Sequence, residues 1–238
     1  MKKISLSLFG VLFLLAFVAC KKDKPAAETV TDIDGNVYKT IKIGTQTWMA
    51  ENLKTTRFND GTAMPEVPDN AAWSGLLTPA YCWYNNTKAG NEKKGMLYNG
   101  YVITNEKIAP IGWHVPTYTD WDTLEDYLIA NGFNYDGTTT GNKIAKSIAA
   151  TSGWTLDNTF GNVGNDQATN NKSGFNALSA GYRNDVTGEF STPGISTVFY
   201  SYYNSIIYLK GIDNYNYKPF GYPNNNLKQG YSIRCIKD

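Results

Sequence analysis

Residues 112–132, GWHVPTYTDWDTLEDYLIANG, carry the clearest helix signal in the chain. Thr117 is suited to cap the helix, and Asp120, three residues later, completes a capping box in which each side chain accepts a hydrogen bond from the other residue's backbone amide. Gly132 is predicted to end the helix. One apolar face follows at helical spacing: Trp121, Leu124 and Leu128. We therefore predict an amphipathic helix that packs on a core.

Strand signals lie before and after this helix. The stretch 37–50, VYKTIKIGTQTWMA, alternates apolar and polar residues around a Gly-Thr turn, which predicts a hairpin. A second, shorter helix is predicted near 142–150, and strand-like runs follow at 174–182, 197–209 and 230–236. This order predicts an α+β domain in which the helices are segregated from an antiparallel sheet.

The first nineteen residues, MKKISLSLFGVLFLLAFVA, predict an export signal, because two lysines precede an apolar run too short to span a bilayer as a mature helix. Small residues lead into Cys20, which resembles the lipobox of bacterial lipoproteins. We expect cleavage before Cys20, lipidation of its thiol and a cell-envelope location at the outer membrane, exposed at the surface. An ordinary secretory signal is the alternative. The tether is predicted to span residues 20–30, and a single domain to span 31–238.

Charge and residue types exclude several functions. Removal of residues 1–19 removes two of the 22 basic residues, leaving 20 against 21 acidic ones, so no basic surface for nucleic acid is predicted. His114 is the one histidine, which excludes a histidine cluster, and it is interpreted as structural. The helix carboxylates are interpreted as a solvated face: Asp120, Asp122, Glu125 and Asp126. The sequence predicts no enzyme activity, metal or cofactor.

Two cysteines remain after Cys20, Cys82 in AYCWYNN and Cys235 in YSIRCIKD. An exported protein lies in a compartment where thiols oxidise, so we predict a Cys82–Cys235 disulfide. Two buried thiols are the alternative.

Six blocks in this order resemble the Fibrobacter succinogenes major paralogous domain, a family of exported and often lipidated bacterial surface proteins. The blocks are residues 29–62, 80–86 (AYCWYNN), 95–101 (GMLYNGY), 109–128, 173–183 (SGFNALSAGYR) and 230–238 (GYSIRCIKD). That family resembles in turn the C-type-lectin-like fold of formylglycine-generating enzymes. The resemblance implies that early strands meet the terminal strand and that a long loop-rich segment lies on one face.

Two departures limit what the resemblance implies. Oxidases of the formylglycine type hold copper with a nearby cysteine pair, whereas Cys82 and Cys235 each belong to a separate family block. Sugar-binding C-type lectins hold calcium with E-P-N or Q-P-D and W-N-D runs, and the chain contains neither. Neither oxidase chemistry nor calcium-dependent sugar binding is carried over.

Residues 196–231 hold eight of the seventeen tyrosines and six asparagines. Tyrosine offers rigid contact area with a polar tip, and asparagine offers adaptable polar contacts, so the segment is predicted to bind a ligand. Tyrosine-rich strands joined by asparagine turns are the alternative. The predicted ligand residues are Tyr200, Tyr202, Asn204, Tyr208, Asp213, Asn214, Tyr215, Asn216, Tyr217 and Tyr222.

These features predict a non-enzymatic lipoprotein that is held at the membrane by its lipid and binds a protein or glycan through this segment. A structural or tip subunit of a surface assembly is the second hypothesis, and a formylglycine-type oxidase is the third. The tyrosine and asparagine content also fits a C-type-lectin-like binder diversified by retroelement-driven adenine mutagenesis. A near-copy of the coding stretch beside a reverse transcriptase would identify such a system.

Overall fold

A computed structural model describes residues 28–191, 193–203 and 206–238, so the predicted signal segment and Cys20 lie outside the described residues. Within these ranges the chain forms an α+β domain. Its strands are β1 (Thr29–Thr31), β2 (Val37–Ile43), β3 (Gln46–Met49), β4 (Tyr81–Cys82), β5 (Leu97–Asn99), β6 (Trp113–His114), β7 (Ser196–Tyr203), β8 (Ile206–Asp213), β9 (Phe220–Pro223), β10 (Gly230–Tyr231) and β11 (Ile236–Lys237). Its helices are α1 (Asn70–Ser74), α2 (Tyr118–Ala130) and α3 (Ala145–Ile148). No helix in the described ranges is long and apolar enough to cross a membrane.

The strands form three antiparallel sheets, with the orders β1-β2-β3-β11-β6, β10-β5-β4 and β7-β8-β9. In the first sheet, Ile236 of β11 pairs with Trp48 on one side and with His114 on the other. The end of the domain therefore closes against its beginning, as the resemblance implies. The predicted β2–β3 hairpin is confirmed.

Gly44 explains the shape of that hairpin. Its φ is +61°, a left-handed conformation that favours glycine. A Cβ atom at this position would lie 2.8 Å from Cδ2 of Tyr127. The turn can therefore approach α2 this closely only because residue 44 has no side chain. The turn thereby joins the first sheet to the helix.

Helix α2 forms as predicted. The Thr117 hydroxyl accepts a hydrogen bond from the Asp120 amide, and the Asp120 carboxylate accepts one from the Thr117 amide. Trp121, Leu124 and Leu128 are all buried. The helix therefore contributes one apolar face to the core, and the local capping pattern fixes where it starts.

Four aromatic rings form the centre of the core between the first sheet, α2 and the third sheet. The ring of Trp121 lies 5.0 Å from that of Trp48, 5.6 Å from that of Phe175 and 5.7 Å from that of Phe199. We call these four residues the interior aromatic cluster. The buried guanidinium of Arg234 lies 4.4 Å from the Phe175 ring and donates to Asn52 Oδ1 and to the Phe175 carbonyl.

Several segments differ from the predicted elements; the predicted run 230–236, for example, contains two short strands, β10 and the start of β11, rather than one. The predicted strand at 174–182 is wrong: this segment is irregular, with isolated bridges such as that between Ala149 and Ala177, because it runs across the structure between other elements. The second helix is one turn long, Ala145–Ile148. The last residues of the predicted tether, Thr29 and Val30, belong to β1 because they pair with β2.

The predicted disulfide between Cys82 and Cys235 is wrong, because both are buried free thiols. Cys82 packs in a small cluster with Trp73 and Leu97, whereas Cys235 belongs to a different cluster that contains Tyr38. Burial raises the pKa of Cys82 to about 12 and also raises the pKa of Cys235. The predicted alternative, two buried thiols, describes the structure.

Candidate binding surface

The predicted strand-like run 197–209 is a hairpin. β7 and β8 pair from Ser196 opposite Asp213 to Tyr203 opposite Ile206. The predicted run is therefore two strands rather than one, and side chains that face each other across the ladder, such as Tyr202 and Ile207, share a face.

Two of the predicted ligand residues hold the scaffold. Tyr200 has no exposed surface, and its hydroxyl donates to the carbonyl of Gln229 at 2.6 Å. Asn214 is buried, and its backbone amide donates to the backbone carbonyl of Ile195 at 2.8 Å. Neither side chain is placed to contact a ligand at the surface. The predicted ligand residue Asn204 lies outside the described residues.

Three predicted residues are exposed, Tyr215 at 56%, Tyr217 at 43% and Tyr222 at 47%. Asp213 is buried. The other predicted residues are partly buried: Tyr202, Tyr208 and Asn216. The outward tyrosines therefore lie after the β7–β8 hairpin, in the β8–β9 loop and on β9.

The β8–β9 loop is fixed by the irregular segment 153–166. The Gly164 amide donates to the Asn214 carbonyl at 2.7 Å, and the side-chain amide of Asn162 donates to the Tyr215 carbonyl at 2.7 Å. The carbonyl of Tyr217 accepts from the Ala145 amide at 3.2 Å. The exposed tyrosines thus extend from a backbone whose polar groups are paired with neighbouring segments.

Phe160 is part of the same surface and was missed by sequence reasoning. It is 75% exposed, and its ring lies 5.4 Å from that of Tyr135, which lies 5.6 Å from that of Tyr217. A lone phenylalanine in the polar run TLDNTFGN was the available signal. We define the aromatic surface as Tyr135, Phe160, Tyr215, Tyr217 and Tyr222.

A cleft of about 300 Å³ opens at one end of this surface, between the β8–β9 hairpin and β10. Five of its ten lining residues are aromatic: Tyr182, Tyr215, Phe220, Tyr222 and Tyr231. The Phe220 and Tyr222 rings are nearly parallel, with their centroids 6.0 Å apart, and those of Tyr182 and Tyr231 are 5.9 Å apart. Two pairs of neighbouring rings thus line the cleft.

Asp213 also lines this cleft and is 6% exposed. Its Oδ2 accepts a hydrogen bond from Asn216 at 2.9 Å, while its Oδ1 has no partner among the described residues. Burial raises the pKa of Asp213, and the amides of Asn216 and Tyr215 offset this in part. The cleft therefore combines aromatic surface with a buried carboxylate.

The helix carboxylates and His114 lie outside this surface. His114 is half-buried, and its two ring nitrogens lie 2.7 Å from Asp238 and 3.2 Å from Asp120. The interpretation of a solvated acidic face is wrong for Glu125, which is mostly buried and lies 3.1 Å from Nζ of Lys210. These groups connect α2 to the first and third sheets.

The fold and this surface define a class of protein, a compact α+β domain that presents exposed aromatic side chains on a fixed loop. A family model described as the Fibrobacter succinogenes major domain matches residues 41–237. The chain belongs to this family. No curated protein and no solved structure matches it.

Proposed function

We propose that this protein is a non-enzymatic lipoprotein of the outer membrane that binds a protein or glycan ligand through the aromatic surface. The observation that carries the proposal is the exposure of Tyr215, Tyr217 and Tyr222 from a loop whose backbone is hydrogen-bonded to its neighbours. Exposed rings on a fixed loop lose little conformational entropy on binding.

We also propose the lipid anchor at Cys20 and a C-type-lectin-like arrangement of the fold. The apolar run that ends at Cys20 supports the anchor, and the pairing of Ile236 with Trp48 supports the arrangement because it joins the last strand, β11, to the early strand β3. Mass spectrometry of the native protein would test the anchor, since a diacylglycerol on Cys20 adds a defined mass.

The binding proposal is tested with the full chain, purified in a polyoxyethylene detergent and applied to glycan and surface-protein arrays. We expect the wild type to bind at least one array component. The combined variant Tyr215→Ala, Tyr217→Ala and Tyr222→Ala is expected to bind that component at least tenfold more weakly, because it removes most of the exposed ring area.

Tyr127→Ala provides the matched control, since Tyr127 is 38% exposed but lies on α2, outside the aromatic surface. It is expected to bind like the wild type. Binding that survives the triple variant unchanged, or the absence of any binding by the wild type, would refute the proposed site.

A structural role in a surface assembly is the second candidate, favoured by two exposed apolar side chains. Leu156 is 82% exposed and Phe160 75%, and apolar area of this kind is often covered by a neighbouring subunit. A detergent-stable oligomer of the native protein that dissociates in the variant Leu156→Ser with Phe160→Ser would favour this role over ligand binding.

A further inference from the structure

The aromatic cleft holds negative charge that no cation of the described chain compensates. Asp213 lines it, and Asp185 lies behind it, because Asp185 Oδ1 accepts from the Gln229 side chain at 3.2 Å and Gln229 is a lining residue. Neither carboxylate forms an ion pair with a lysine or arginine in the described ranges, and no lining residue is basic. The cleft therefore contains a carboxylate and no basic side chain of its own to neutralise it.

Two buried cations elsewhere in the domain have partners among the described residues. Nζ of the buried Lys210 lies 3.1 Å from Glu125 and 3.4 Å from Asp122. Arg183 is fully buried, and its guanidinium donates to the carbonyls of Gly188 and Pro68. Several buried side-chain atoms of the described residues lack a hydrogen-bond partner, and Oδ1 of Asp213 is the one carboxylate oxygen among them.

The aromatic residues that line the cleft also favour a cation. Aromatic faces carry negative electrostatic potential and attract cations placed above them, most strongly where water is displaced. The rings of Tyr222 and Phe220 stack, and those of Tyr182 and Tyr231 lie next to each other. A cation held by these rings would share the cleft with Asp213.

We propose that this cleft binds the side chain of a lysine or arginine presented by a protein partner. This inference rests on the proposed binding function and adds the chemistry of the group that is recognised. The cationic head contacts the tyrosine rings and neutralises the carboxylate of Asp213, while the methylene groups of the side chain pack on Phe220 and Tyr222.

The test uses the full chain in a polyoxyethylene detergent, which brings neither a sugar nor a quaternary ammonium group to the cleft. The probes are short peptides with serine and glycine around one central residue, which is arginine, lysine or citrulline. Citrulline has nearly the shape of arginine without its charge. We expect the arginine and lysine peptides to bind at least tenfold more tightly than the citrulline peptide, measured by calorimetry.

Asp213→Asn keeps the shape of the side chain and removes its charge. We expect this variant to bind the arginine peptide as weakly as the citrulline peptide. Asp126→Asn, which removes an exposed charge on α2, serves as the matched control and is expected to bind like the wild type. Amide shifts of Tyr215 and Gly221 in the wild type on addition of the arginine peptide locate the contact without depending on a variant that folds.

Equal binding of the arginine and citrulline peptides, or full binding by Asp213→Asn, would overturn the cation assignment. A neutral glycan that binds and is lost in Tyr222→Ala but not in Asp213→Asn would keep the proposed binding function and refute this inference alone. Absence of binding by every peptide and every array component would refute both.

Discussion

The interior aromatic cluster and the aromatic surface use the same kind of side chain for opposite purposes. Neighbouring rings lie at similar distances in both regions, with centroids 5.0 Å apart for Trp48 and Trp121 and 5.4 Å apart for Tyr135 and Phe160. Trp121 is 3% exposed, whereas Phe160 is 75% exposed. Ring contacts alone therefore do not identify a core, because burial on all sides makes a ring stabilising and a free face leaves it available to a partner.

Charge separates the two regions in the same way. Arg234 lies within the interior aromatic cluster and its donors are met by Asn52 and by backbone carbonyls. Asp213 lies beside the aromatic surface, and its Oδ1 has no partner among the described residues. Arg234 has hydrogen-bond acceptors for its donors, whereas one oxygen of Asp213 has no donor. Substitution of Arg234 and substitution of Asp213 are therefore expected to change the free energy of unfolding differently.

The largest effect is expected for Trp121→Ala. Removing this ring leaves a cavity against three aromatic neighbours, so the free energy of unfolding should fall by about 3–5 kcal/mol. Urea denaturation followed by tryptophan fluorescence measures it. Phe160→Ala removes a ring of the aromatic surface and should cost less than about 1 kcal/mol. Equal losses of unfolding free energy in Trp121→Ala and Phe160→Ala would contradict the distinction between the two regions.

Arg234→Met is expected to rank second. Methionine fills part of the volume but leaves Asn52 Oδ1 and the Phe175 carbonyl without donors, for a loss of about 3 kcal/mol. The control is Arg57→Met, since Arg57 forms a partly exposed ion pair with Asp34 at 2.6 Å and should contribute less than about 1 kcal/mol. A larger loss at Arg57 than at Arg234, in urea titrations under identical buffer, would contradict this order.

More of the interior region than of the aromatic surface could be predicted from the sequence. The capping box of Thr117 and Asp120 and the apolar spacing after it are local signals, and both are present in the structure. The β2–β3 hairpin is also local. The pairing of Ile236 with Trp48 joins distant segments, and a family resemblance rather than any residue pattern implied it.

The aromatic surface is formed by contacts between segments that are distant in the sequence, so no local pattern predicts it. A tyrosine-rich stretch does not reveal where the chain reverses, so Tyr200 was grouped with outward residues although its hydroxyl binds Gln229 in the interior. Phe160 joins the surface through Tyr135 from a separate segment. The two cysteines were paired on grounds of compartment, and compartment does not determine whether two thiols lie in one cluster.

Asp213→Asn should change stability modestly and in the opposite direction from the first two substitutions. Burial raises the pKa of Asp213 above 3.8, so the folded chain holds this proton more tightly than the unfolded chain. Stability attributable to the carboxyl group is therefore lost as pH rises above about 4. Near pH 7 we expect Asp213→Asn to be more stable than the wild type by up to about 1 kcal/mol.

The difference between Asp213→Asn and the wild type should disappear below about pH 3, where Asp213 is protonated in both the folded and the unfolded chain. Urea titrations at about pH 2.8 and about pH 7 measure this, with Asp126→Asn as the exposed control. A variant that is less stable than the wild type at pH 7 would mean that the carboxylate stabilises the fold, and its unpartnered oxygen would then need another explanation.

The smallest effect on stability is expected for Tyr215→Ala. The hydrogen bond from Asn162 to residue 215 uses the backbone carbonyl and survives the substitution, and the ring is 56% exposed, so the free energy of unfolding should change by less than about 0.5 kcal/mol. Thermal melts followed by near-ultraviolet circular dichroism measure it. The same substitution should weaken binding at the aromatic surface, because the exposed ring area is lost. A clear loss of stability without loss of binding would assign Tyr215 to the scaffold, and the boundary between the two aromatic regions would then run between Tyr215 and Tyr222.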